Sequence, residues 1–142
     1  LGRFLNMKIE PYNFVSALNC VQAQRLVRTI CAHCKREVRA SHELLVESGL
    51  DPKLYADAPF FEGAGCMECG GTGFKGRTAI CELLDVTDTI RELILQRTSS
   101  ADIKRAAREE GMIFLRESAV NKALAGRTTL QEINKVTFVE VV

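Results

Sequence analysis

Ile30-Cys31-Ala32-His33-Cys34-Lys35 and Gly65-Cys66-Met67-Glu68-Cys69-Gly70 each place two cysteines two residues apart. A two-residue gap lets both thiolates of such a knuckle point at one ion, at a Zn–S distance of ~2.3 Å, while nearby backbone N–H groups turn toward the sulfurs. Two knuckles supply four ligands, which closes a tetrahedral shell and leaves no open position for substrate. Cys31, Cys34, Cys66 and Cys69 are therefore the expected ligands of a structural zinc ion. Between the knuckles lie residues 35–65, 31 in number, more than the roughly 15–20 of a compact zinc ribbon and enough for a small inserted subdomain.

Other uses of the four cysteines are weaker. Disulfides suit secreted chains, and no signal-peptide pattern precedes the first expected helix. A thioredoxin-like pair needs a strand–CxxC–helix unit, which surrounds neither knuckle. A rubredoxin-type iron site uses the same four thiolates and stays open as an alternative to zinc. Cys20 and Cys81 stand alone in apolar stretches and read as small buried hydrophobes. His33 sits between two ligands of a shell that is already full, and neither His33 nor His42 reads as catalytic.

Outward from the knuckles, Ser41 is expected to cap a helix through Leu44, Leu45 and Val46 that stops at Gly49, with a second short helical turn opening at Asp51-Pro52. Pro59–Glu62 reads as a strand, with Arg77–Leu84 as its partner. Upstream, Pro11–Leu18 suits a short helix with Pro in its first turn. Val21–Ile30 fits both periods: Ala23, Leu26, Val27 and Ile30 share a helical face, while strict alternation suits a strand. After Asp85 the pattern is helical. Thr87 or Thr89 caps a segment with Ile90, Leu93 and Ile94 on one face. Ser99 and Asp102 start another, with Ile103, Ala106 and Ala107. Gly111 precedes a third, lined by Val120, Ala123 and Leu124 and ended by Gly126. Thr129 and Glu132 form a capping box for a fourth, with Leu130, Ile133 and Val136. These four short helices are expected to make one bundle. Their mixed charges, Arg91, Arg116 and Glu117 among them, read as a solvated face.

Composition sets limits. The 142 residues are 46% hydrophobic and 26% charged, with 19 Lys and Arg against 18 Asp and Glu. That balance gives no field drawing the chain to nucleic acid, and seven Phe and two Tyr supply few stacking platforms. No apolar run approaches the roughly 20 residues that span a bilayer. The chain opens on Leu1 rather than Met, and Gly2-Arg3-Phe4-Leu5 reads as the continuation of a longer protein.

Gly2-Arg3-Phe4-Leu5-Asn6-Met7, Glu10-Pro11, Ala23-Gln24-Arg25-Leu26-Val27-Arg28, Gly70-Gly71-Thr72-Gly73-Phe74-Lys75-Gly76-Arg77, Glu82-Leu83-Leu84 and Gly126-Arg127-Thr128-Thr129-Leu130 with Val136-Thr137 form a combination that resembles the carboxy-terminal third of the type II secretion and type IV pilus assembly ATPases. The resemblance implies an α/β chain: residues 1–30 as the end of a RecA-like core, 31–80 as a tetracysteine zinc subdomain, and 81–142 as a helical carboxy-terminal subdomain. It implies that Val21–Ile30 is a strand. It also implies a homohexameric motor at the cytoplasmic face of the bacterial inner membrane, using ATP and Mg²⁺ and acting on an inner-membrane platform protein. Arg25 and Arg28 are then candidates for the nucleotide side of the core, or else pair with acidic groups.

The sequence also departs from that pattern. The phosphate-binding loop G-x-x-x-x-G-K-[ST] is absent, as are a recognisable Mg²⁺-holding acidic residue and a Thr/His-rich box, so this chain alone is expected not to hydrolyse ATP. Cys81 stands where relatives often have an aromatic residue, and Lys8 where Gly is common. A retraction motor is disfavoured, because those relatives generally lack the tetracysteine insertion. Two readings from other classes compete. A DnaJ-type chaperone module would use C-x-x-C-x-G-x-G repeats, which Cys66–Gly73 fits but Cys34-Lys35-Arg36-Glu37-Val38 does not. A nucleic-acid-binding zinc ribbon would need a concentrated basic surface.

Overall fold

In a computed structural model, the fold is described for residues 11–137; the Gly2–Met7 and Glu10 matches and the Lys8 departure lie outside the described residues. The chain is mixed α/β. In order it runs through α1 (Pro11–Ala17), β1 (Cys20–Ile30), β2 (Lys35–Val38), α2 (His42–Glu47), α3 (Pro52–Tyr55), β3 (Phe60–Gly63), β4 (Phe74–Asp85), α4 (Asp88–Leu95), α5 (Ser100–Glu109), α6 (Leu115–Leu124) and α7 (Leu130–Val136). The ambiguous segment is strand. A helix would have buried Leu26 beside Val27, whereas Val27 is 2% exposed and Leu26 55%.

The strands do not pair as the sequence suggested. β3 pairs antiparallel with β2, with Lys35 opposite Gly63 and Val38 opposite Phe60, and β4 pairs with β1. The expected β3–β4 pair is thus corrected, and the knuckles give the reason. β1 enters the first knuckle and β2 leaves it; β3 enters the second and β4 leaves it. When the knuckles meet, the inner strands β2 and β3 face each other and the outer strands β1 and β4 do likewise.

The chain divides into two compact units, one of residues 24–81 and 114–137 and the other of 11–23 and 82–113 within the described range. In the first, Val27, Leu45, Phe60, Ile80, Ala119, Val120, Ala123, Leu130 and Ile133 form a buried core. Its helices start on side-chain caps: Ser41 accepts from the Leu44 N–H, Asp51 from Lys53, and Thr129 from Glu132. Arg116, half-buried rather than on a solvated face, donates to the Ser48 carbonyl at 2.6 Å and to Thr137 Oγ1 at 2.9 Å, tying α6 to the ends of α2 and α7.

The other unit is built on Val15, Val86, Ile90, Ile94 and Ala107. Thr87, not Thr89, caps α4, and Ser99 caps α5. Arg91 donates to the carbonyls of Val15 at 3.1 Å and Leu18 at 3.2 Å, satisfying groups at the end of α1 that the helix leaves open. All four expected carboxy-terminal helices form; α4 and α5 contribute to this core, and α6 and α7 to the other. Each pair has one apolar face, and strand residues and α1 cover those faces. Cys20 is exposed and Cys81 half-buried, against the expectation that both would be buried. Cys20 opens β1, where its side chain is left at the surface.

Just past the end of helix α4, Arg97 sits at φ 53°, a left-handed position that costs an L-residue with a Cβ about 1 kcal/mol. The Thr98 N–H still reaches the Leu93 carbonyl at 3.1 Å, closing the turn that normally uses glycine here. Arg97→Gly is therefore expected to raise stability by about 0.5–1 kcal/mol in chemical denaturation. A loss of stability would mean that the Arg97 side chain outweighs the backbone strain.

Candidate metal centre

The first knuckle follows directly from buried Ile30, and the second from a glycine pair that lets two backbones touch. At Gly63 an added Cβ would lie 2.1 Å from the Gly73 carbonyl oxygen, and at Gly73 one would lie 2.5 Å from the Gly63 oxygen. Nothing but glycine fits this crossing, which sets the end of β3 against the start of β4. Backbone hydrogen bonds then join the two knuckles: Ala64 N–H to the Cys34 carbonyl at 3.0 Å, and Cys31 N–H to the Gly73 carbonyl at 2.9 Å.

The result brings all four cysteine sulfurs within 4.8 Å of one another. The Cys31–Cys66 and Cys34–Cys69 separations are 3.8 Å, and Cys66–Cys69 is 3.7 Å. A tetrahedron with Zn–S bonds of ~2.3 Å has S–S edges of ~3.8 Å, so the spacing is that of ligands around one ion. It is far from the ~2.05 Å of a disulfide. The donor set fits a metal, and these four residues can hold one.

Backbone donors already face the sulfurs. Gly65 N–H points at Cys34 Sγ at 3.3 Å; Cys66 and Gly73 N–H groups point at Cys69 Sγ at 3.3 and 3.2 Å. Burial pushes the Cys34 thiol up to about 11, an effect that the Gly65 N–H only partly offsets. Burial acts the same way on Cys69, but there the N–H groups of Cys66 and Gly73, with the neighbouring thiols, outweigh it and bring the thiol down to about 6. Cys31 is fully buried and the other three are half-buried, which suits ligands of a structural ion. His33 is exposed and is not one of the four.

The two arginines part company. Arg25 is exposed, and its guanidinium donates to the neighbouring Gln24 carbonyl at 2.9 Å. Arg28 is committed elsewhere: its Nε and Nη2 donate to Glu132 Oε1 at 3.1 and 2.6 Å, and its backbone N–H donates to Glu132 Oε2 at 3.1 Å. The same guanidinium lies 4.1 Å over the Phe74 ring. Thr129 and Glu132, which the spacing marks as a capping box, thus do only half of that work. The Thr129 hydroxyl caps α7, while the Glu132 carboxylate turns to β1. The sequence signal for Glu132 was real, but a local motif cannot report a partner 104 residues away.

The chain is thus a mixed α/β protein whose paired strands bring together four cysteines that could hold a metal ion. A family profile described as "Type II/IV secretion system protein" matches residues 1–135, and the chain belongs to that family. It is 48% identical over 94% of its length to the type IV pilus assembly ATPase PilB of Thermus thermophilus, covering 15% of that protein. It is 36% identical over 94% of its length to the PilB of Myxococcus xanthus, covering 24% of it. To the type II secretion system protein E of Dickeya dadantii it is 36% identical over 96% of its length, covering 26%. The chain therefore spans about a quarter or less of these relatives. Among the described residues, no helix is long and apolar enough to cross a membrane.

Glu132 gives the centre's surroundings a measurable pH signature. Its hydrogen bonds from the Arg28 side chain, against the opposing effect of burial, hold the carboxyl at about 2, well below its ordinary 4.5. A depressed carboxyl stabilises the fold fully above the unfolded value, and that stability drains away as pH falls from about 4.5 toward 2. With Arg28 half exposed to water, the contribution is ~2 kcal/mol. The stability difference between wild type and Glu132→Gln, followed by chemical denaturation, is expected to shrink over that window. A constant difference would remove the ion pair as its cause.

Proposed function

We propose that this chain is a carboxy-terminal region of a hexameric ATPase that powers type IV pilus assembly or type II secretion, and that its four thiolates hold a structural zinc ion. The observation that carries the zinc reading is the tetrahedral S–S spacing. The motor reading is supported by relatives whose names are those of pilus assembly ATPases and secretion proteins. Residues 1–30 would be the end of the RecA-like core, with β1 as a core strand, 31–80 the zinc subdomain and 81–142 the helical subdomain.

Zn²⁺, when bound, supplies a closed four-thiolate shell that cross-links the two knuckles and offers no open site for chemistry. The chain's own residues do the rest. The N–H groups of Gly65, Cys66 and Gly73 stabilise thiolate charge, and the Gly63–Gly73 crossing keeps the second knuckle against the first. The ATP phosphates and Mg²⁺ would be held by a phosphate-binding loop and an acidic residue for which this sequence has no match, so the chain alone should not hydrolyse ATP. The whole protein would work as a homohexamer at the cytoplasmic face of the inner membrane, against a membrane platform protein. With Arg28 held by Glu132 and Phe74, Arg25 is the better candidate for the nucleotide side.

Two measurements test this reading. Cys66→Ser is expected to reduce zinc content well below one equivalent per chain and to lower the melting temperature, with residues 31–80 losing structure first. One equivalent retained with unchanged melting would sink the four-thiolate assignment. In the full-length motor, Arg25→Ala should weaken ATP binding about tenfold, the worth of one charge-assisted hydrogen bond. Equal ATP affinity would take Arg25 out of the nucleotide site.

A further inference from the structure

The Gly126–Glu132 segment brackets the first knuckle on both sides, although it lies roughly a hundred residues away in sequence. On the entry side, Thr128 Oγ1 donates to the Arg28 carbonyl at 2.8 Å, and the Ile30 N–H donates to the Arg127 carbonyl at 3.0 Å. The Arg28 N–H donates to the Glu132 carboxylate. These contacts fix the backbone three residues and one residue before Cys31. On the exit side, Lys35, the residue after Cys34, packs its side chain against Gly126. A Cβ on Gly126 would meet Lys35 Nζ at 2.5 Å and the Phe61 ring at 3.2 Å. Lys35 Nζ in turn lies 4.7 Å over that ring.

A second path leads from the same segment to both knuckles. Glu132 holds the Arg28 guanidinium, which stacks on Phe74. The adjoining Gly73 accepts from the Cys31 N–H and donates its own N–H to Cys69 Sγ. The polar residues that make these contacts are themselves deeply buried: Thr128 is 0% and Glu132 6% exposed. Burying an alcohol and a carboxylate costs free energy unless each is held by partners. Here both spend their bonds on the strand that delivers the first ligand.

We propose that Gly126–Glu132 is the outer shell of the metal centre, with Glu132 and Thr128 as positioning residues that hold the first knuckle in ligating geometry. The proposal rests on the zinc reading above. Partners that orient ligands without touching the metal typically control affinity by about 10–100-fold. The coupling is reciprocal: what the segment does for the metal, the metal does for the segment.

The test uses the full chain at a temperature where the metal-free protein is folded. Zinc affinity is measured by chelator competition, and ligand geometry by the thiolate-to-metal and d–d bands of the Co²⁺ form. Glu132→Gln and Thr128→Val should each weaken zinc binding about 10–100-fold and shift the Co²⁺ spectrum. Leu45→Ala, in the same core but away from the bracket, should leave the spectrum unchanged and the affinity nearly so. In the unmutated chain, removing zinc with a chelator should speed amide exchange at Arg28, Ile30 and Glu132 more than in α6, which shares the core but lies outside residues 31–80. The proposal fails if the two variants bind zinc like wild type with unaltered spectra, or if Leu45→Ala matches their loss. It fails too if exchange rises evenly through the unit. A wild-type chain that binds neither metal would overturn the zinc reading itself, and the outer shell with it.

Discussion

Four cysteine sulfurs that meet within 4.8 Å of one another go with the strand pairing of the residues around them. Each knuckle reverses the chain between two strands. Once the four sulfurs stand within 4.8 Å of one another, the strands on the inner side of the two turns have only each other to pair with, as do the outer ones. Closing a loop of the length between the knuckles costs on the order of 3 kcal/mol in chain entropy. A four-thiolate zinc contributes apparent binding free energies of roughly 10–16 kcal/mol in small modules, so an ion in this site outweighs the closure several times over. The two-stranded sheets on either side are too small to specify their own register, since isolated two-stranded ribbons are marginal in water.

The ion pair next to the site works by another route. A buried carboxylate is a poor source of net stability, because the desolvation cost consumes most of the attraction. Glu132 avoids that outcome by accepting from a backbone N–H, a guanidinium and the Lys135 ammonium, while Arg28 stays half in water. What such an arrangement supplies is geometry. The carboxylate takes both the amide and the side chain of one residue, so the Arg28 backbone and the Phe74 stack cannot shift independently.

The local features were legible and the long-range ones were not. Ser41, Asp51, Thr87, Ser99 and Thr129 start helices because each oxygen reaches an N–H two or three residues ahead, and that distance is written in the sequence. The four-cysteine set was legible for the same reason, since the ligand spacing is local to each knuckle. Strand partners failed because Pro59–Glu62 and Arg77–Leu84 are neighbours in sequence. Proximity favoured a hairpin, yet the second knuckle between them turns β4 toward β1. Arg91 and Arg116 escape a sequence reading for a related reason. Mixed charge along helices resembles a solvated face, whereas these two guanidinium groups reach back to carbonyls at distant helix ends.

The two units differ in what a metal ion could add. The unit without cysteine ligands relies on five buried apolar residues and on Arg91, which joins α4 to the carbonyl end of α1. Its contacts are between helices adjacent in space, each with an apolar stripe that a neighbouring stripe can cover. The other unit has more buried apolar residues, yet it must also hold short strands that carry little core of their own. β2 and β3 are four residues each, and of these eight only Phe60 is fully buried. Apolar burial cannot fix such strands, because each side chain contributes only about 1.5–3 kcal/mol when fully removed from water. A metal ion held by four thiolates at the points where the strands begin and end would. The cysteines sit at the strand ends, and the residues that reinforce them, Thr128 and Glu132, come from the start of α7 and the turn before it, which Leu130 and Ile133 anchor in the core.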